Sequence, residues 1–320
     1  MKRIKMTQKT NETIREGFDN FISRKNYENV SPNTVKTYSL HFEVFMKFIN
    51  NEKMLLEEID TKTIGNFIIH LRTNRKCKDA TIKSYIGTLR AFLYNCMDNG
   101  EIEEFRIKMP KCKTIAKECY TKEELQILIK KPQSNSFVEF RTWFYINLLY
   151  GTGMRLESAL RLKIKDINLS GQTITLYNTK SRITQTIQID TALQRIIKEY
   201  LSIRKGEPED YLLCDDCGNP IKKRTLQDSL ARYNKSRGIT KTSSHLFRHT
   251  FSTAYIGATG NIIDLQRRLG HKSSTTTENY IRTYVPDFDE NFDEISPLAW
   301  LYGAKNKTNK INMKQNRKRA

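Results

Sequence analysis

Residues 138–150, VEFRTWFYINLLY, form a run in which Trp143, Phe144, Ile146, Leu148 and Leu149 leave almost no polar face at helical spacing. An apolar stretch of this kind is predicted as a wholly buried helix. It runs into Gly151-Thr152-Gly153-Met154-Arg155, where the glycines end the helix and Arg155 opens the next one, Leu156 to Leu162.

The chain has 320 residues, room for two domains, and 15 Phe and 15 Tyr with which to build their cores. Its 55 Lys and Arg against 35 Asp and Glu leave a net charge of +20, which implies a polyanionic partner, nucleic acid first. No apolar run approaches the roughly 18 residues that would span a bilayer, and MKRIKMTQKT carries no signal-like apolar core. The expectation is a cytoplasmic, nucleoid-associated protein with no membrane partner. The six cysteines lack the spacing of a secreted framework and read as free thiols. Cys214-Asp-Asp-Cys217 is a lone C-x-x-C. A zinc site would need two more ligands, which Cys112 and Cys119 could supply only at an unusual spacing, so an exposed loop without metal is expected.

Residues 1–10 read as a basic arm with Lys2, Arg3, Lys5 and Lys9. Residues 11–100 show four helical repeats: Ile14, Phe18, Phe21 and Ile22; then Val35, Tyr38, Phe42, Phe45 and Phe48 behind a Ser31-Pro32 start. Asp60 is expected to cap a third helix carrying Ile64, Phe67, Ile68 and Leu71. Asp79 would cap a fourth, with Ile82, Ile86, Leu89, Phe92 and Leu93, stopping near Gly100. Residues 101–118, with Pro110 and several lysines, read as an interdomain linker. A capping box at Thr121-Lys-Glu-Glu124 opens the second domain, residues 119–303, followed by a basic tail at 304–320. Alternation over Gln172–Tyr177 and Ile183–Ile189 predicts a hairpin with Lys180 in its turn and Arg182 beside it. Helices follow at Ala192–Arg204 and after Lys222, the latter burying Leu226, Leu230 and Tyr233.

Chemistry concentrates between His245 and Tyr280, where three of the five histidines (His245, His249, His271) fall together with Arg248. Arginine offers a fixed fork suited to phosphate oxygens, histidines move protons near neutral pH, and a tyrosine is a nucleophile once helped to lose its proton. The combination suggests covalent phosphoryl transfer.

The order His245-Leu-Phe-Arg248-His249, Leu269-Gly270-His271 and Tyr280 nine residues later resembles the tyrosine recombinase (phage integrase) family. The Thr152-Gly153-Met154-Arg155 turn matches the family's first catalytic arginine, and Lys180 its hairpin lysine. The resemblance implies a mainly α fold with a small β-hairpin or sheet, in which an N-terminal helical core-binding domain precedes a mixed α+β catalytic domain. It implies the site Arg155, Lys180, His245, Arg248, His271 and Tyr280, with the two arginines and His271 stabilising a phosphorane-like transition state. Lys180 would protonate the leaving 5′ oxygen and His245 assist Tyr280; His249 would be structural or support the residues that touch the phosphate. Lys36, Lys78, Lys83 and Arg90 would face double-stranded DNA, as would Arg182 and, on the helix after Lys222, Arg224, Gln227 and Arg232. The resemblance further implies a tetramer on paired sites, a monomer or dimer off DNA, no cofactor, and room for accessory DNA-bending or directionality factors. An apolar and acidic segment after Tyr280 would pack back or dock on a neighbour. One position departs: relatives commonly carry a glutamate three residues after the first arginine, and here it is Ser158, with Glu157 one residue early. A regulator that kept the fold and lost recombination, and a topoisomerase, are the competing readings.

Overall fold

The structure, a computed structural model, describes residues 11–112, 118–177 and 184–270. The chain divides into two compact units, Met1–Ile115 and Ala116–Ala320. The expected basic arm, residues 178–183 with the turn expected around Lys180, and everything after Gly270 lie outside the described residues.

The first unit is built from α1 (Ile14–Tyr27), α2 (Pro32–Ile49), α3 (Thr61–Thr73) and α4 (Asp79–Asp98). Local chemistry sets their starts. Ser31 accepts from the Thr34 amide with Pro32 in the first turn, and Asp60 accepts from the Thr63 amide at 2.7 Å. A capping box of Thr13 and Glu16 opens α1. Phe18 stacks on Phe42 at 3.7 Å, and Phe92 meets Phe18 edge-on at 5.3 Å. Each large side chain so buried contributes roughly 1.5–3 kcal/mol.

Two expectations are corrected here. Asp79 is the first residue of α4 and not its cap; Lys78 holds the cap position without a side-chain bond. From there the Asp79 carboxylate faces the positive helix end and pairs with Arg72 at 3.3 Å. The stretch read as linker is also shorter than expected. Ile102 and Ile107 are buried in the helical core, with Phe105 and Met109 packed against it. The Ile107 amide donates to the Tyr94 hydroxyl at 3.3 Å, and Arg24 pairs with Glu101. Pro110 and the lysines signalled a linker, but the apolar side chains between them had a core within reach. Residues 101–112 therefore belong with the first unit.

In the second unit, α5 (Lys122–Ile129) precedes α6 (Phe137–Thr152), the helix that the apolar run predicts. Helices α8 (Thr191–Arg204), α9 (Lys223–Lys235) and α10 (Ser244–Thr259) pack around α6 together with α5. That is why α6 is buried on all sides, with Phe144 stacked on Tyr200 at 3.8 Å and the Trp143 indole donating to the Ile129 carbonyl at 2.7 Å. The capping box at Thr121 and Glu124 is present. Short α7 (Leu156–Arg161) follows the glycine turn, and α11 (Ile262–Leu269) packs on α10 through Ile256, Leu265 and Leu269.

Three antiparallel strands, β1 (Ile167–Asn168), β2 (Thr173–Leu176) and β3 (Gln185–Gln188), form one sheet in that order. Strand β1 has two residues, too few for an alternation to register. Ile174 pairs with Ile187 on the buried face, and Leu176 with Gln185. Among the described residues no helix is long and apolar enough to cross a membrane.

Candidate active site

The turn after α6 is assembled residue by residue. Thr152 donates its hydroxyl back to the Leu148 carbonyl at 2.6 Å and accepts from the Met154 amide at 3.3 Å. Gly153 takes a left-handed φ of 63°, and a Cβ there would stand 2.4 Å from Phe251 and 3.0 Å from Leu269. Glycine is needed twice over, for the conformation and for the approach of two other helices. Met154 plugs into the core, and Arg155, half-buried, takes the cap position of α7.

Arg248 lies on α10 and is 2% exposed. Its Nη1 donates to the Gly153 carbonyl at 2.7 Å and its Nη2 to the Leu269 carbonyl at 2.9 Å. One buried guanidinium thus joins the turn that leads into Arg155 and the end of α11, two residues before position 271. The resemblance implies a phosphate contact for Arg248; what the structure shows is a guanidinium that organises backbone. His245 is exposed in the first turn of α10, three residues before Arg248 and so on a neighbouring part of the helix surface. His249 is buried.

A side chain that the sequence did not single out completes this junction. Gln185, the first residue of β3, donates its carboxamide Nε2 to the carbonyls of Arg267, at 3.1 Å, and Arg268. Gly270 has a left-handed φ of 62°, and a Cβ there would lie 2.5 Å from the Gln185 Oε1. Nothing in a polar residue at a strand end signals such a bond. Farther along, Arg268 donates to Asp264 at 2.8 Å and to the Tyr255 hydroxyl at 3.0 Å, fastening α11 to α10.

Lys180, Arg182, His271 and Tyr280 lie outside the described residues. Lys36, Lys78, Lys83 and Arg90 are exposed on the first unit, Arg90 standing over the Tyr94 ring at 4.9 Å. On α9, Leu226, Leu230 and Tyr233 are buried while Arg224, Gln227 and Arg232 remain at the surface, Arg224 paired with Asp228 at 3.2 Å. Glu157 does not stand in for the carboxylate that relatives carry at the next position, for it pairs with Lys223 on α9 at 2.6 Å. Ser158 instead lines a cleft with Arg161, Lys163, Lys165 and Asp166.

One group of metal-type ligands occurs among the described residues, Asp215, Asp216 and Cys217, within 4.8 Å of one another. Asp215 is already committed to its loop, accepting from the amides of Cys217 at 3.0 Å and Asn219 at 2.8 Å. Burial pushes the Cys214 thiol up, away from the thiolate that binds metals. Cys112 instead reaches the Asp79 carbonyl and Cys119 the Thr253 hydroxyl, so neither adds to this group.

The model of the phage integrase family matches residues 118–285, and that of the phage integrase SAM-like domain matches residues 13–114. Tyrosine recombinase XerC of Staphylococcus epidermidis is 28% identical over 262 residues, 79% of this chain and 87% of that protein. The Tn1549 transposon integrase, solved with a circular intermediate DNA, shares the fold at a TM-score of 0.71 and 20% identity, covering 89% of this chain and 99% of that one. The lambda integrase tetramer bound to a Holliday junction gives a TM-score of 0.70 at 17% identity, covering 88% and 80%. A family match across more than half of the 320 residues, over the same unit that gathers the Gly153 turn, α10 and α11 on Arg248, makes the chain a member of the phage integrase family.

Proposed function

We propose that the chain is a site-specific DNA recombinase that cuts and rejoins double-stranded DNA through a 3′-phosphotyrosyl link at Tyr280. One observation supports this above the others: the backbone leading to Arg155 and the backbone leading to His271 both rest on the buried guanidinium of Arg248. Two family-implied phosphate ligands thereby follow from turns whose positions depend on a third.

In the reaction, the Tyr280 phenolic oxygen attacks phosphorus and loses its proton with the help of His245. The bond to the 5′ oxygen breaks, and Lys180 supplies the proton that leaves a 5′-hydroxyl. Arg155, Arg248 and His271 stabilise the charge that builds on the non-bridging oxygens, an electrostatic contribution that is usually the largest in such reactions. The covalent link keeps the phosphodiester energy, so religation by an incoming 5′-hydroxyl needs no nucleotide cofactor, and no step calls for a metal. The first unit would hold the outer DNA through Lys36, Lys78, Lys83 and Arg90, and the second through Arg182, Arg224, Gln227 and Arg232. Assembly would be a tetramer on two duplexes, with the protein working in the cytoplasm on the nucleoid.

The test is adduct trapping. Wild-type protein, given duplexes it selects from a randomised library and a nick beside the cleavage position, should form a covalent complex that survives denaturation. Tyr280→Phe should form none; adduct from that variant means the nucleophile is another residue. The Glu157–Lys223 pair, which takes the nearest carboxylate away from the position of Ser158, favours a second reading, a DNA-binding regulator without recombination. Selection of a specific duplex with no adduct from wild-type protein would establish that second reading.

A further inference from the structure

We infer that Gln185 is a positioning residue for strand cleavage, holding the end of α11 in the place from which the Leu269-Gly270-His271 segment and Arg248 act together. The consequence for cleavage rests on the reading above; the clamp itself does not.

The last carbonyls of a helix have no partner within it and must find donors elsewhere. At the end of α11 the Gly270 amide donates to the Arg267 carbonyl at 3.2 Å, and side chains from two other elements add bonds to three successive carbonyls. Gln185 of β3 serves Arg267 and Arg268, and Arg248 of α10 serves Leu269. The carboxamide nitrogen has two N–H groups, enough to serve both carbonyls. Its oxygen lies against Gly270, where a side chain would collide with it, so the glycine of the Leu-Gly-His turn is shaped around Gln185 as well as around its own φ. Arg248 in turn reaches the Gly153 carbonyl. Sheet, α10, α11 and the turn before Arg155 are therefore connected through two side chains. Removal of Gln185 would leave Arg248 as the one remaining side-chain tether, among the described residues, on those three carbonyls, and the segment that follows them could shift relative to Arg155.

The chemistry of the clamp gives an unusual order of variants. Gln185→Glu has the right shape but no N–H, and it sets a carboxylate against carbonyls at the negative end of a helix. Gln185→Lys changes the shape but keeps donors and adds a favourable charge. Gln185→Ala removes the group. A role in packing alone predicts that glutamate behaves like wild type and that lysine is the worst.

Two measurements decide. Hydrogen exchange on the free protein should show residues 265–270 exchanging about tenfold faster in Gln185→Ala, faster still in Gln185→Glu and near wild type in Gln185→Lys, with α6 unchanged. Single-turnover cleavage of the nicked, library-selected duplex should fall in the same order, about tenfold for alanine, while the affinity for that duplex stays within twofold. Unchanged exchange at 265–270, or glutamate ranking with wild type, overturns the inference. Altered exchange with wild-type cleavage rates also overturns it, because the clamp would then hold the helix without serving the reaction. Altered exchange in a protein whose wild type forms no adduct removes the functional reading and leaves the clamp standing as a structural tether only.

Discussion

The two units carry their positive charge in opposite ways. In the first, the helices are held by apolar faces, and Lys36, Lys78, Lys83 and Arg90 stand exposed on the outside, with none of their side chains buried in the core. In the second, a charged side chain is itself the structural centre: Arg248 is buried, and the turn before Arg155 and the end of α11 both depend on it. Charges on a surface act additively and can be lost one at a time. A charge at a junction acts on everything it joins.

The largest expected effect follows from that junction. Arg248→Ala should lower single-turnover cleavage by about 10²–10³, in the range seen when a preorganised donor to a developing oxyanion is deleted. It should also lower the unfolding midpoint of the second unit, since two buried carbonyls lose their donor. Arg248→Lys keeps the charge but not the fork, and its failure to restore either property would show that geometry, not charge alone, is what the junction requires.

Gly153→Ala comes next. The left-handed φ and the collision with Phe251 and Leu269 should cost about 1–3 kcal/mol of stability in the second unit, measured by denaturant titration, with the first unit's transition in place. An alanine variant as stable as wild type would break the contrast, because the turn would then be pliable.

Lys83→Ala should do less and do it differently. Stability should stay within about 0.5 kcal/mol, and DNA affinity should weaken with the slope of log K against log salt reduced by roughly 0.9. A large loss of cleavage at saturating protein would mean that the first unit, too, has a residue on which function hinges.

The smallest effect concerns pH in the first unit. His41 on α2 bonds the Thr88 hydroxyl of α4 at 2.8 Å, and burial holds its pKa below the ordinary histidine value. A lowered pKa favours the neutral ring when folded. Its contribution is complete above the unfolded value of about 6.5 and declines as pH falls through it. Unfolding of the first unit should therefore become slightly easier from pH 7.5 to 5.5, and His41→Gln should flatten that dependence.

Much of this architecture could be read along the chain, for local reasons. Ser31, Asp60 and Thr121 cap the helices they precede, since a cap bonds an amide three residues away. The apolar run at 138–150 became the buried helix because periodicity reports which faces need covering. Asp79 misled the reading, because an aspartate suits the first turn of a helix as well as its cap. Residues 102–109 misled it because lysines and a proline describe a segment's polarity, not whether a core lies beside it.

By itself, the sequence determined the helices, their caps, the glycine turn before Arg155 and the linear order of the candidate catalytic residues. Tertiary structure alone decided what holds that order together. Arg248 bonds Gly153 across 95 residues of chain, and Gln185 bonds Arg267 across 82. Such contacts satisfy carbonyls left over at the ends of helices, and which side chain reaches them depends on how sheet and helices pack. No pattern of neighbours in sequence encodes a donor that arrives from another element.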